Sequence, residues 1–213
     1  MKVLGYGNVR GVDMERFSPD RFSVKKDSDV FTFVFVGRIV GDKGINELVE
    51  AFVKLHDKHK NTRLVLVGNY EHNLDPVSDK TRKLIDTNDG INACGPKYGD
   101  ELLQMYVDAD CFVMPSYREG FPNTVLEAGA MGLPSIVTDI NGSREIIENE
   151  KNGLIVPSKN ANALHDAMER MLTDDDARET MKGNAREMIA SRFEKNFVQK
   201  CQIEFYEEVK SEK

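Results

Sequence analysis

The stretch from residue 31 to 52, "FTFVFVGRIVGDKGINELVEAF", decides the fold. It opens on an apolar run, residues 31–37, that is hydrophobic on both alternating faces and ends in glycine. Strands of this kind are buried on both sides, as in a parallel sheet covered by helices. After the turn, Leu48, Ala51, Phe52 and Leu55 recur at helical spacing. Strand, turn and helix in this order make the first half of a βαβ unit.

The pattern repeats along the chain. Five more apolar runs follow: "RLVLVG" (63–68), "INACG" (91–95), "CFVMPS" (111–116), "PSIVTD" (134–139) and "GLIVPS" (153–158). Helical patterns lie between or beyond them at 76–87, 100–108, 121–131 and 161–172. Alternating strands and helices predict right-handed crossovers and an open, Rossmann-like parallel sheet of about six strands with helices on both faces. Ligands in such sheets bind at the carboxyl ends of the strands. The loops after Gly37, Gly68, Gly95, Ser116 and Asp139 are therefore where function is expected.

Composition sets the outer bounds. The chain has 213 residues, a hydrophobic fraction of 40% and a charged fraction of 31%, as in ordinary globular proteins. A formal net charge of -7 argues against nucleic acid as a partner. No run approaches the roughly 20 apolar residues of a membrane helix, and the first residues lack a signal-peptide core. Cys94, Cys111 and Cys201 are odd in number and widely spaced, which speaks against a disulfide framework or zinc site and for a reducing, cytoplasmic setting. His56 and His59 are read as lying on the polar side of their helix, with no third metal ligand nearby. Residues 1–25, containing "GVDMERFSPDRF", read as a linker, 26–190 as the Rossmann-like domain, and 191–213 as a terminal helix. That helix carries Phe193, Phe197, Ile203, Phe205 and Tyr206, so it must dock on something.

Two loops carry candidate chemistry. In "GRIVGDKG", Arg38 ends a strand and Lys43 opens a helix, where amide N–H groups and the helix dipole add positive potential. The pair suits a diphosphate, although two solvated cations on a turn would read the same. In "REGFPNTVLE", Glu119 lies in the loop after a strand and Glu127 one to two turns into the next helix. Pro122 suits a first helical turn and Gly120 permits close backbone approach. Carboxylates accept hydrogen bonds from pairs of hydroxyls. Two acids beside a phosphate site suit a molecule with a sugar at each end of its phosphates; a single helical Glu would otherwise be a solvated face.

The stretches "FVGRIVGDKGINELVEAF", "SYREGFPNTVLEAGAMGLPSIVTDINGSREIIENEKNGLIVP" and "GVDMERFSPD" together resemble the carboxyl-terminal domain of family 4 retaining glycosyltransferases of the GT-B fold. Glu119 and Glu127 match that family's E-x7-E pattern. The resemblance implies that Gly37, Arg38 and Lys43 hold the diphosphate of a nucleotide sugar. Glu119 would contact the donor sugar and Glu127 the ribose. Gly120, Phe121 and Pro122 would meet the sugar, and Asn123, Thr124 and Val125 the phosphate. Gly68 would face the same cleft, and Gly95, Pro96 and Lys97 would lie where the family recognises the base. It further implies a UDP-sugar donor, no metal or other cofactor, and a glycan or lipid-linked acceptor in bacterial capsule or exopolysaccharide synthesis. The acceptor would be bound by an amino-terminal domain on which the last helix packs. On this reading the chain is half of a cytoplasmic enzyme, inactive alone, whose full-length form is compatible with peripheral membrane association. Two other classes share the pattern: an epimerase or phosphorylase half of the same fold, and a non-catalytic nucleotide-binding module with a partner chain. "DAD" (108–110) has the spacing of the D-x-D in metal-dependent glycosyltransferases, but its position between helix and strand reads as capping and turn chemistry. "GYGNVRG" (5–11) imitates a dinucleotide-binding glycine loop without the helix that should follow.

Overall fold

The computed structural model describes residues 4–211 apart from Val9 and His72. Six strands form one parallel sheet in the order β3-β2-β1-β4-β5-β6. They are β1 (Phe31–Val36), β2 (Thr62–Val67), β3 (Ile91–Gly95), β4 (Cys111–Met114), β5 (Ser135–Thr138) and β6 (Gly153–Val156). Each falls within the run expected from its apolar pattern, except that β2 starts one residue earlier, at Thr62. β1 is central, with Phe33 beside Leu64 of β2 and Val34 beside Phe112 of β4. Phe33, Val34 and Phe35 are all fully buried, so both faces of the sheet are covered. β3 lies at the edge, and its Asn92 and Ala93 are exposed.

The helices are α1 (Ile45–Lys58), α2 (Asp79–Thr87), α3 (Gly99–Val107), α4 (Asn123–Ala130), α5 (Ser143–Ile146), α6 (Ala161–Thr173), α7 (Asp175–Phe193) and α8 (Lys195–Ser211). α1 packs on α2 and α6, and α4 packs on α7. Side chains start several of these helices. Ser78, Asn160 and Asp174 are N-caps that accept from the amides of Thr81, Ala163 and Ala177.

The structure corrects four expectations. His56 is buried rather than on a polar face; its ring stacks on Phe52, one helical turn away, and contacts Thr62 and Asp89. The apolar terminal stretch is not one helix. Phe193 is buried at the end of α7, the chain breaks at Glu194, and α8 begins at Lys195. Residues 1–25, read as a linker lying outside the domain, pack on it, since Val12 and Phe17 join the core. The amide of Val12 donates to the carbonyl of Phe193 at 2.8 Å, and the amide of Lys195 donates back to Val12 at 3.0 Å. Pro122 is the N-cap of α4 rather than a residue of its first turn. Residues 1–3 of the linker and 212–213 of the terminal helix lie outside the described residues.

One arginine holds the strap formed by residues 10–17 in place. The Arg186 guanidinium of α7 donates to the carbonyls of Met14 and Phe17 in the strap and of Ala130 at the end of α4.

Candidate functional site

The strand order reverses between β1 and β4. Loops leave such a switch point in opposite directions and open a crevice at the carboxyl edge of the sheet. The loop after β1 carries Gly37, Arg38 and Lys43, and the loop after β4 carries Ser116 to Pro122. The two loops touch backbone to backbone. Gly44 has φ +71, and a Cβ there would lie 2.1 Å from the carbonyl oxygen of Pro115. No residue with a side chain fits that approach, so glycine lets α1 begin against the end of β4. The amide of Tyr117 then donates to the carbonyl of Asp42 at 2.8 Å.

Across this crevice the Lys43 ammonium meets Oε1 of Glu119 at 2.5 Å. The pair is mostly buried, with side-chain exposures of 17% and 13%. Ser116 is fully buried, and its hydroxyl donates to the same Glu119 oxygen at 2.7 Å. Ser116 is itself held, because Thr138 at the end of β5 donates to its carbonyl. Glu119 is thus held directly by Lys43 from the loop after β1 and by Ser116 after β4, which the end of β5 steadies in turn. From the other side, Gly142 (φ +84) presses on the same loop, where a Cβ would lie 2.4 Å from the Gly120 carbonyl. Gly120 itself faces open space.

The remaining expected residues divide. Arg38 is exposed beside Gly37, and its side chain makes no hydrogen bond or ion pair among the described residues, so it is open to an anion. Gly68 ends β2 next to Gly37. Asn123 and Thr124 open α4, where first-turn amides have no helical partner. Val125 is buried and belongs to the core, and Phe121 turns its ring edge-on to Phe193 at 5.6 Å. Gly95 faces open space, and Pro96 follows it at the same sheet edge. Lys97 lies 3.5 Å from Glu101 and borders a groove with Phe22, Gln104 and Met105, away from Lys43 and Glu119.

Glu127 is set apart from the Lys43–Glu119 pair. It borders a cavity of about 280 Å³ between α4, the strap and the start of α8, together with Arg10, Asp13, Arg16, Asn123 and Lys195. Burial pushes its carboxyl up from the ordinary value, against the opposing effects of a hydrogen bond from Tyr106 and the charge of Arg16.

Several residues of the site were not legible beforehand. Ser116 was seen only as a strand end, although a serine three residues before an acid is a local signal. Tyr117 donates to Glu47 at 2.7 Å, and Lys159 lies over its ring at 4.7 Å. A larger cavity of about 670 Å³ opens at the opposite, amino edge, among Lys26, Phe31, Thr62, Asp110 and Arg178. It contains none of the expected residues. Asp108 and Asp110 lie near that edge, where they accept from the amides of Lys25 and Thr32, and Asp110 also pairs with Lys26. No three His, Cys, Asp or Glu side chains among the described residues are grouped to hold a metal.

Comparison with known proteins agrees with this arrangement. Residues 17–188 match the family model of the glycosyl transferases group 1. The capsular polysaccharide biosynthesis glycosyltransferase CapM of Staphylococcus aureus is 30% identical over 92% of this chain and 52% of its own length. The chain spans about half the length of the curated relatives it matches. A glycosyltransferase from Rickettsia africae superposes with a TM-score of 0.82 at 25% identity, over 94% of this chain and 56% of that one. The carboxyl-terminal domain of a group 1 glycosyl transferase, LpcC of Francisella tularensis, shares the fold at 22% identity and a TM-score of 0.72; 86% of this chain covers 99% of it. Sheet order, crevice and family model converge: this chain belongs to the group 1 glycosyl transferases.

Proposed function

We propose that this chain is the donor-binding half of a retaining glycosyltransferase, which moves a sugar from a nucleotide sugar to a glycan or lipid-linked acceptor in bacterial surface polysaccharide synthesis. The carrying observation is the Lys43–Glu119 pair across the switch point, with Arg38 open beside it and Glu127 on the following helix. Its fold is that of the LpcC carboxyl-terminal domain, its likeness to CapM favours capsule-type chemistry, and we take the donor to be a UDP-sugar, the ligand class with which the Anabaena HepE protein of the same fold was crystallised. A companion amino-terminal domain would bring the acceptor and receive the exposed Ile203 and Tyr206 of α8. Among the described residues no helix is long and apolar enough to cross a membrane, and we place the enzyme in the cytoplasm.

In this reading the diphosphate competes with Glu119 for Lys43. As Lys43 turns to the phosphates, Glu119 is released to accept from the sugar hydroxyls. The bond from the anomeric carbon to the diphosphate breaks, and its electron pair leaves with the phosphate oxygen. The acceptor oxygen bonds to the same face of that carbon, and its proton passes to the departing phosphate. Arg38, Lys43 and the α4 amides stabilise the charge that develops on the leaving group, so no metal is required. Glu119 orients the sugar, and Glu127 accepts from the ribose.

Titration separates the two acids. Glu127→Ala should weaken both the free nucleoside diphosphate and the nucleotide sugar, since both contain the ribose. Glu119→Ala should weaken the nucleotide sugar alone. Each loss should be about 1–3 kcal/mol, the range for a hydrogen bond to a charged group. Equal losses in both variants against both ligands would overturn the division, and a panel of UDP-, GDP- and ADP-sugars identifies the base.

A further inference from the structure

Glu127 has two sides. One carboxylate oxygen, Oε2, accepts a hydrogen bond from the Tyr106 hydroxyl of α3 at 3.0 Å. The carboxylate also borders the cavity between α4 and the strap. Tyr106 is among the largest fully buried side chains of the molecule. Its ring packs near Phe112 of β4 at 6.1 Å between centroids. A phenylalanine would fill that place equally well. The hydroxyl is the one polar atom of this side chain, and Glu127 is its partner. Buried hydroxyls are retained where they are paired.

We infer that Tyr106 is a positioning residue for ligand binding: from beneath the site it holds one oxygen of Glu127 and leaves the other for the ribose hydroxyls of the nucleotide. The inference rests on the donor-binding reading above and adds to it a residue that touches no ligand. Three features support it. α3 and α4 meet at this hydrogen bond, so the helix after β3 is coupled to the helix after β4 across the site. A carboxylate with a single fixed donor keeps one oxygen in place while its other lone pairs remain available. The surroundings also oppose the loss of charge that burial favours, through the Tyr106 hydrogen bond and the charge of Arg16. Arg16 faces it from the strap, and Arg10, Asp13 and Lys195 share the cavity. On α7 the charged group near α4 is Arg186, which is taken up by the carbonyl of Ala130.

The sign of the pH effect follows. A hydrogen bond donated to a carboxylate favours its charged form, so removing the donor raises the carboxyl's pKa further. Tyr106→Phe should therefore do two things in this chain. It should weaken binding of UDP about three- to tenfold, as expected for one lost hydrogen bond. It should also move the acid limb of the UDP binding profile to higher pH. Inorganic pyrophosphate, which lacks the ribose, should bind the variant as it binds the parent. Unchanged UDP affinity across the pH range would overturn the inference, as would equal losses of UDP and pyrophosphate, which mark a general packing defect. Glu127→Gln is titrated alongside. If it binds UDP without loss, the ribose site itself is wrong and the role of Tyr106 falls with it. If it loses affinity while Tyr106→Phe does not, only the Tyr106 role is overturned.

Discussion

At the scale of single residues, the central fact is that Lys43 and Glu119 neutralise each other within the crevice. The charge available to an incoming anion is then carried first by Arg38, which is exposed and without an ion pair among the described residues. On the proposed reading Arg38 makes first contact and Lys43 follows once its ammonium exchanges partners. Arg38→Ala and Lys43→Ala should each weaken nucleoside diphosphate binding by about 1–3 kcal/mol. The Lys43 variant should lose less than a bare lysine would, because its parent gives up an ion pair on binding. Affinity should fall as salt rises. Calorimetric titration at two ionic strengths is the check, and unchanged affinity in both variants would reject the phosphate site.

At the scale of elements, the site is assembled by close approach of loops rather than by a preformed bowl. Gly142→Ala places a methyl group against the Gly120 carbonyl and asks alanine to adopt φ +84. It should cost more than about 1 kcal/mol in urea unfolding and weaken nucleotide-sugar binding through the displaced Glu119 loop. Normal stability and normal binding together would show that this loop contact is dispensable. β1, β4 and β5 were legible because doubly buried strands write continuous apolar runs, while β3 at the edge, with Asn92 and Ala93 exposed, was legible only as a short run ending in glycine. α7 was not among the expected helices. Its core residues Met181, Ala185, Ile189 and Phe193 form a stripe one residue wide, which periodicity barely marks. His56 was misread because a histidine suggests a polar face, although its spacing from Phe52 puts it one turn away on the buried side. At the crevice, the positions of Arg38, Lys43 and Glu119 in the loops after β1 and β4 were readable from the strand ends. The Lys43–Glu119 pairing and the role of Tyr106 were not, since each depends on a tertiary contact between elements far apart in the chain.

At the scale of the whole molecule, the chain presents the crevice at one sheet edge and α8 beyond it, a helix that packs on residues 5–7 and on α7 but leaves apolar side chains exposed. Phe197, Ile203, Tyr206 and Val209 are the large apolar side chains exposed there. If they meet a companion domain, the chain alone should bind nucleotide sugar without transferring it. Adding the amino-terminal half of a close relative should restore transfer, and a chelator should leave it intact. Turnover by the chain alone, or a strict demand for manganese or magnesium, would refute this arrangement. The strap bears on the same question. Arg186 gathers carbonyls from the strap and from the end of α4 onto one guanidinium, and the Val12–Phe193 and Lys195–Val12 bonds fasten the strap to the α7–α8 junction. A pull arriving from the amino-terminal side thus meets a rivet rather than a hinge. Its load passes through α7 into α4, the helix that holds Glu127, so residues 10–17 and that acid must move together.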